Sequence, residues 1–328
     1  MEAILKSPKY TDIKLAKGVF VDSTNYSDRT QTDVGISTKS FGRFWFHTPK
    51  GKAIFKTYDD YQSEIRDLRI VNELLCYELS KQMGIRCAEY ELAHLADDVT
   101  GVVTYNVTKP SEQLINSVEL YKRQYLSQRQ DLVDYSKALA FYIKDGYDVD
   151  LDKAMKDLYK ITLFDSLTMQ SDRNSANIFF LIDEQNKTLK VAPLIDNEYA
   201  FNTQNFSKQL RENEDIKDSQ FSERLDYIYK MITVDDEVRD DSTFKENVKQ
   251  LVNIAYNDPE CGKIFKNFMN GFDVKKAMEK LEKQGVDISP RYKEYLLMTE
   301  KVIKDLYRQE LSSLKNNQNT NSSEDIYQ

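Results

Sequence analysis

The sequence predicts an α+β chain of two lobes, a small N-terminal β-rich lobe with one long helix and a larger, mainly helical C-terminal lobe. Three observations predict it. A length of 328 residues calls for about two units at roughly 100–200 residues each. The hydrophobic pattern is strand-like up to about residue 108 apart from one helical stripe, and helical beyond it apart from one hairpin. Hydrophobic residues make up 40% of the chain and include 16 Phe and 21 Tyr, enough apolar area to exclude wholesale disorder. The expected divisions are 1–108, 109–315 and a polar tail, 316–328, without structure.

Phe41–His47 and Lys52–Tyr58 are short aromatic or alternating segments joined by Thr48-Pro49-Lys50-Gly51, a hairpin signal. From Tyr61 to Met83 the apolar residues Ile65, Leu68, Val71, Leu75, Leu79 and Met83 recur at three or four, and Gly84 follows as a C-cap, so this segment is a helix. Cys87–Leu95 and Val99–Val107 read as two more strands. After Pro110 the pattern predicts helices over Ser111–Gln128, Asp131–Lys144 and Asp150–Met169. Ile178–Ile182 and Thr188–Ile195 are β-rich runs around a short polar loop, a hairpin set into the helical lobe. Residues 220–312 return to helix, broken at Asp258-Pro259 and Ser289-Pro290.

Composition removes many functions. Forty-six basic against 54 acidic side chains leave a net charge of -8, and a dedicated nucleic-acid binder needs a basic face, so no direct nucleic-acid partner is expected. The first 110 residues hold 15 of each sign, which puts the net acidity in the rest of the chain. Asp235-Asp236-Glu237 with Asp240-Asp241 reads as a solvated acidic loop. Cys76, Cys87 and Cys261 lack the spacing of a disulfide framework or zinc site, and fit a reducing, cytoplasmic setting. His47 and His94 stand far apart, which leaves little for histidine-dependent triads. No apolar run approaches the roughly 18 residues of a membrane span, and no signal-peptide stretch opens the chain.

The informative stretch is Ser171-Asp172-Arg173-Asn174-Ser175-Ala176-Asn177, followed by the hairpin and then Pro193-Leu194-Ile195-Asp196-Asn197. An Asp, four residues, an Asn, and a β-hairpin ending in another Asp is the arrangement that holds a carboxylate and magnesium ligands together in phosphoryl transfer. Asp172 would face an acceptor hydroxyl, Asn177 would offer its amide oxygen to the metal, and the hairpin would return Asp196 to the same end. The spacing alone is weak, since Asp67 and Asn72 also satisfy it from inside the long helix. Context favours Asp172, which lies between a helix and a hairpin. Lys56 ends the strand Ala53-Ile54-Phe55-Lys56 and Glu73 lies on the following helix, a pairing that places an ammonium near nucleotide phosphates and a carboxylate to orient it. Gly35-Ile36-Ser37-Thr38-Lys39-Ser40-Phe41-Gly42 sits where a phosphate-covering loop belongs, without matching either glycine-rich consensus.

These residues resemble the HipA-like Ser/Thr kinases, in the compact form represented by the Helicobacter cell-translocating kinase, and are distantly similar to type II phosphatidylinositol 4-kinases. The resemblance rests on Asp172-Arg173-x-x-x-Asn177 after Phe164-Asp165-Ser166-Leu167, on Ala192-Pro193-Leu194-Ile195-Asp196, on Asn72-Glu73 with Gly84-Ile85, and on Gly35-x-x-x-Lys39 before Lys56, and covers about residues 30–310. It implies a two-lobed protein-kinase-like fold that binds ATP and Mg2+. Asp172 would be the base, Lys56 the phosphate-contacting lysine and Glu73 its partner, with Asn177 and Asp196 as metal ligands. Gly35, Ser37, Lys39 and Tyr105 complete the nucleotide-contacting set. The roughly 30 residues before Gly35 leave no room for the extra N-terminal subdomain of long members. Asn174 stands where the family usually has His, and Ser37 where Gln is common. The family also implies autophosphorylation at one of Thr32, Ser37, Thr38 or Ser40, and, by analogy with long members, an antitoxin-like partner. The expected activity is transfer of the γ-phosphoryl of Mg-ATP to a protein hydroxyl. A lipid kinase, from Asp196-Asn197-x-x-Ala200-Phe201, and a catalytically inactive scaffold are the alternatives.

Overall fold

A computed structural model describes residues 12–15, 20–22, 43–48, 50–57, 63–95, 99–122, 132–170, 172–173, 175–203 and 244–324. The first sheet contains β1 (Asp12–Leu15), β2 (Phe20–Asp22), β3 (Arg43–Thr48), β4 (Gly51–Lys56), β5 (Tyr90–Leu95) and β6 (Val99–Tyr105), in the order β2-β1-β5-β6-β4-β3. All its pairings are antiparallel, and the β3–β4 hairpin pairs Thr48 with Gly51 at its turn. Helix α1 (Ser63–Met83) packs on β5 and β6 with Leu68, Val71, Leu75 and Leu79 buried, the stripe that its periodicity predicts. Gly84 ends α1 in a left-handed conformation (φ +70°), and the Ile85 N–H closes on the Ser80 carbonyl at 3.0 Å.

Two expectations for residues 111–128 give way. Gln113–Asn116 is a strand, β7, and the helix that follows, α2, covers only Ser117–Lys122 among the described residues. Half-buried Leu114 and buried Ile115 supply the third strand that the β8–β9 hairpin (Phe179–Asp183 and Thr188–Val191) needs, and tertiary pairing overrides local propensity. The start of α2 is a capping box: the Glu119 N–H donates to Asn116 Oδ1 at 2.9 Å, and the Asn116 N–H donates back to Glu119 Oε2 at 3.4 Å. Helices α3 (Leu132–Lys144) and α4 (Leu151–Leu167) follow, with Asp150 capping α4 through the Lys153 N–H.

The last described part is helical: α5 (Phe244–Asn257), α6 (Pro259–Gly271), α7 (Val274–Lys283) and α8 (Pro290–Glu324). Asp258 and Asp273 cap α6 and α7, so the break at Phe272-Asp273 adds to the two that the prolines mark. Past Asn316, where a tail without structure is expected, the backbone stays helical to Glu324, because no Gly or Pro follows Pro290 to stop it.

One hydrophobic core joins α1 and the first sheet to the helices. Among its largest fully buried side chains are Tyr159, Phe164, Phe201, Tyr292, Tyr295 and Tyr307. The chain leaving β9 does not continue the strand to Ile195. Pro193 has no N–H to donate, and Leu194 instead bonds back to the first lobe, its N–H to the Arg86 carbonyl (2.9 Å) and its carbonyl to the Ala88 N–H (2.8 Å). That crossing takes Cys87 and Ala88 out of the expected strand, and it delivers Asp196 to Lys56 beside the middle of α1, where Glu73 lies.

Candidate active site

Lys56 is the last residue of β4, opposite Val102 of β6, and is 4% exposed. Its ammonium donates to Glu73 Oε1 of α1 (2.9 Å) and to Asp196 Oδ1 (2.7 Å). Behind it, a Cβ on Gly101 would lie 2.3 Å from the Lys56 carbonyl, so the close approach of β6 to β4 here requires glycine. Glu73 is fully buried, and its second oxygen accepts the N–H of Asn197 at 2.8 Å. One carboxylate therefore grips both the lysine and the backbone beside Asp196. The Asp196 N–H donates to the Tyr90 hydroxyl (2.9 Å), which burial holds in its protonated form. Asp196 sits in the left-handed region (φ 61°), a conformation that Asp tolerates better than most residues.

The catalytic-loop candidates approach from the end of α4. Arg173 Nε donates to both oxygens of Asp165 (3.2 and 3.1 Å). Its other nitrogens donate to the carbonyls of Ile195 (2.6 Å) and Asn177 (3.3 Å) and to Asn197 Oδ1 (2.6 Å). A planar guanidinium is suited to this forked arrangement. The one side chain ties the Asp172–Asn177 loop to the Asp196 segment, across 22 residues of sequence. Burial pushes Asp165 up to about 6, against the opposing pull of Arg173. Asn177 Nδ2 donates to Asp172 at both its carbonyl (2.6 Å) and Oδ2 (2.9 Å), which leaves Oδ1 as that amide's acceptor end. The Asp172 N–H donates in turn to Gln170 Oε1 at 3.3 Å.

The structure thus brings Lys56, Glu73 and Asp196 into direct contact, bonds Asp172 to Asn177, and joins the two groups through Arg173. Gly35, Ser37 and Lys39, with Thr32, Thr38 and Ser40, lie outside the described residues. Tyr105 is not part of the cluster. It is three residues beyond Val102, the partner of Lys56, and strand parity turns it to the opposite sheet face. There Lys50 lies 4.6 Å from its ring centroid, and its hydroxyl donates to Glu91 at 3.4 Å. Sequence reasoning named Asp165 and Asn197 within its motifs without giving them a role, and missed Glu198. Arg173 adjoins Asp172 in the motif, but its fourfold contact has no local signal. Asn72, the decoy of the second Asp-x-x-x-x-Asn match, is fully buried and bonds the segment after Asp196.

One carboxylate oxygen each of Glu73, Asp196 and Glu198 lies within 4.8 Å of the other two. These three offer hard oxygen donors, with no thiolate or imidazole among them. Such a set fits Mg2+, which takes one or two carboxylates and keeps several waters.

No protein-family model matches the chain, and no curated protein matches it. Among solved structures it is similar to the Helicobacter pylori proinflammatory kinase CtkA, with a TM-score of 0.60 and 15% identity over 82% of this chain and 94% of that one. The fold is that of a two-lobed kinase. HipA of Shewanella oneidensis MR-1, solved with HipB and operator DNA, is also similar, with a TM-score of 0.48 and 12% identity over 87% of this chain and 67% of that one.

Proposed function

We propose that this chain is an ATP-dependent Ser/Thr protein kinase of HipA-like type. The observation that carries the reading is the double contact of Lys56 with Glu73 and Asp196, which puts a buried ammonium beside a part-exposed carboxylate at the junction of the lobes. An isolated buried lysine is costly, and a lysine held this way is suited to meet nucleotide phosphates. Glu73 fixes the Lys56 rotamer. Asp172, held by Asn177, orients the acceptor hydroxyl and takes its proton as the oxygen attacks the γ-phosphorus in line. Asp196, Asn177 and Glu198 would hold Mg2+, which neutralises charge on the phosphoryl oxygens when bound. Arg173 keeps the proton-accepting loop and the metal-binding segment in register.

The test is transfer of labelled γ-phosphoryl from Mg-ATP by the purified protein, with a basic protein and phosphatidylinositol vesicles as acceptors. Label on protein that Asp172→Ala and Asp196→Ala each lower by about 10²–10⁴-fold is the expected result. Label on lipid alone would replace the reading with a lipid kinase. No label on either, with ATP still bound, would replace it with an inactive scaffold.

A further inference from the structure

The segment that follows the Pro193 crossing is conformationally expensive. Asp196, Phe201 and Asn202 are all left-handed (φ 61°, 54° and 47°), and none is glycine. Such backbone persists only where its surroundings over-determine it. Part of that restraint comes from the helical lobe. The N–H groups of Phe201 and Asn202 donate to the carbonyls of Thr168 (2.6 Å) and Met169 (3.3 Å), and the Tyr295 hydroxyl donates to the Phe201 carbonyl (2.7 Å).

Beside the contacts of Asp196 and Asn197 with Lys56, Glu73, Tyr90 and Arg173, a further part comes from another side chain of α1. Asn72, next to Glu73, shares its two amide protons among the carbonyls of Glu198 (3.0 Å) and Ala200 (2.8 Å) and the hydroxyl of Thr203. Its own carbonyl oxygen accepts the Tyr292 hydroxyl of α8, 220 residues away in sequence. That bond agrees with the amide's orientation, since a flipped Asn72 would turn its oxygen toward the two backbone carbonyls of Glu198 and Ala200. Asn72 and Tyr292 are both fully buried, so each hydrogen bond lost would leave an unsatisfied polar group. Burial also keeps the Tyr292 hydroxyl protonated, as a donor must be.

We propose that Asn72 and Tyr292 are positioning residues that set the placement of the Asp196 carboxylate, with the C-terminal helix acting through the α1 amide on the metal-binding segment. This rests on the kinase reading for its catalytic consequence but not for its structural one. Helix α1 then holds the segment at two successive residues, Glu73 to the Asn197 N–H and Asn72 to the stretch after it. Neither Asn72 nor Tyr292 has to touch nucleotide or acceptor.

The test compares Tyr292→Phe, which removes only the hydroxyl, with Asn72→Ala and a control, Tyr159→Phe. Tyr159 is as buried, and its hydroxyl bonds the Leu251 carbonyl between α4 and α5. Two readouts are taken on the full chain: hydrogen exchange of amides 197–203, and kcat and KM for Mg-ATP with the half-saturating Mg2+ concentration. Tyr292→Phe is expected to speed exchange in 197–203, lower kcat about tenfold and raise the Mg2+ requirement, with KM for ATP changed less than about twofold, as when the support of a metal ligand is removed. Tyr159→Phe is expected to change neither exchange there nor kcat. Unchanged exchange in Tyr292→Phe, or a kcat no lower than the control's, would overturn the proposal. If Asn72→Ala does not fold, Tyr292→Phe alone decides. A wild-type protein that transfers no phosphate would remove the kinase reading without touching the exchange result, which still supports or overturns the positioning pair.

Discussion

Two lysines six residues apart at either end of β4 each bind two carboxylates, and their distances are nearly the same. Lys50 reaches Glu89 and Glu91 at 2.7 Å each, and Lys56 reaches Glu73 and Asp196 at 2.9 and 2.7 Å. The surroundings differ. The Lys50 side chain is 49% exposed and that of Glu89 38%, whereas the Lys56 side chain is 5% exposed and that of Glu73 is fully buried. Exposed pairs are screened and contribute little, while a buried ion left without its partner is heavily penalised. Contact distance therefore says little about what an ion pair does in this fold. The surroundings decide: Lys56 is inside β4 on the face toward α1 and the crossing at Leu194, strand parity turns Tyr105 to the other face, and Lys50, in the turn before β4, folds over the Tyr105 ring there.

The sharpest way to break this comparison is to remove each ammonium. Lys56→Met is expected to lower phosphoryl transfer by about 10²–10³-fold, the effect of losing one preorganised electrostatic contact. It should also destabilise the fold by about 3–5 kcal/mol, since Glu73 loses its buried counter-charge. Steady-state kinetics and urea unfolding measure the two effects separately. Glu73→Gln keeps the shape of the group and leaves Lys56 its Asp196 contact, so a smaller loss, about tenfold in kcat, is expected from the same assay.

The Asp165–Arg173 pair sharpens the comparison through pH. Burial raises Asp165 to about 6, above the roughly 3.9 of an unfolded aspartate. A raised acid favours the folded state below the unfolded value, and that contribution is lost as pH rises through the folded value. The stability of wild type relative to Asp165→Asn, which does not titrate, is therefore expected to fall between pH 4 and pH 7. Unfolding midpoints that keep a constant difference over that range would contradict it. The smallest effect belongs to Lys50→Met: a loss of no more than about 1 kcal/mol, diminished further by salt, and no change in transfer.

Sequence reading reached residues whose types announce chemistry at a recognisable spacing, and elements with a sustained period. Lys56 at a strand end, Glu73 on the next helix, and Asp172, Asn177 and Asp196 around a hairpin all stood in local patterns, and the stripe from Leu68 to Leu79 announced α1. Long-range hydrogen bonds leave no such pattern. Nothing near Asn72 in sequence points to Tyr292, and nothing near Arg173 announces its bond to the Ile195 carbonyl. Strand β7 was hidden because Leu114-Ile115 is too short a run to outweigh its helical flanks until β8 lies beside it. Tyr105 shows the limit of strand reading: with the strand known but its register unknown, the face of each residue stays undetermined.

The central claim is that burial, not contact geometry, makes Lys56 part of a phosphoryl-transfer site. The most direct measurement is transfer of labelled γ-phosphoryl from Mg-ATP by Lys56→Met and Lys50→Met, side by side with wild type. The account predicts transfer by wild type and Lys50→Met at equal rates and its near loss in Lys56→Met. Equal rates in the two variants would contradict it.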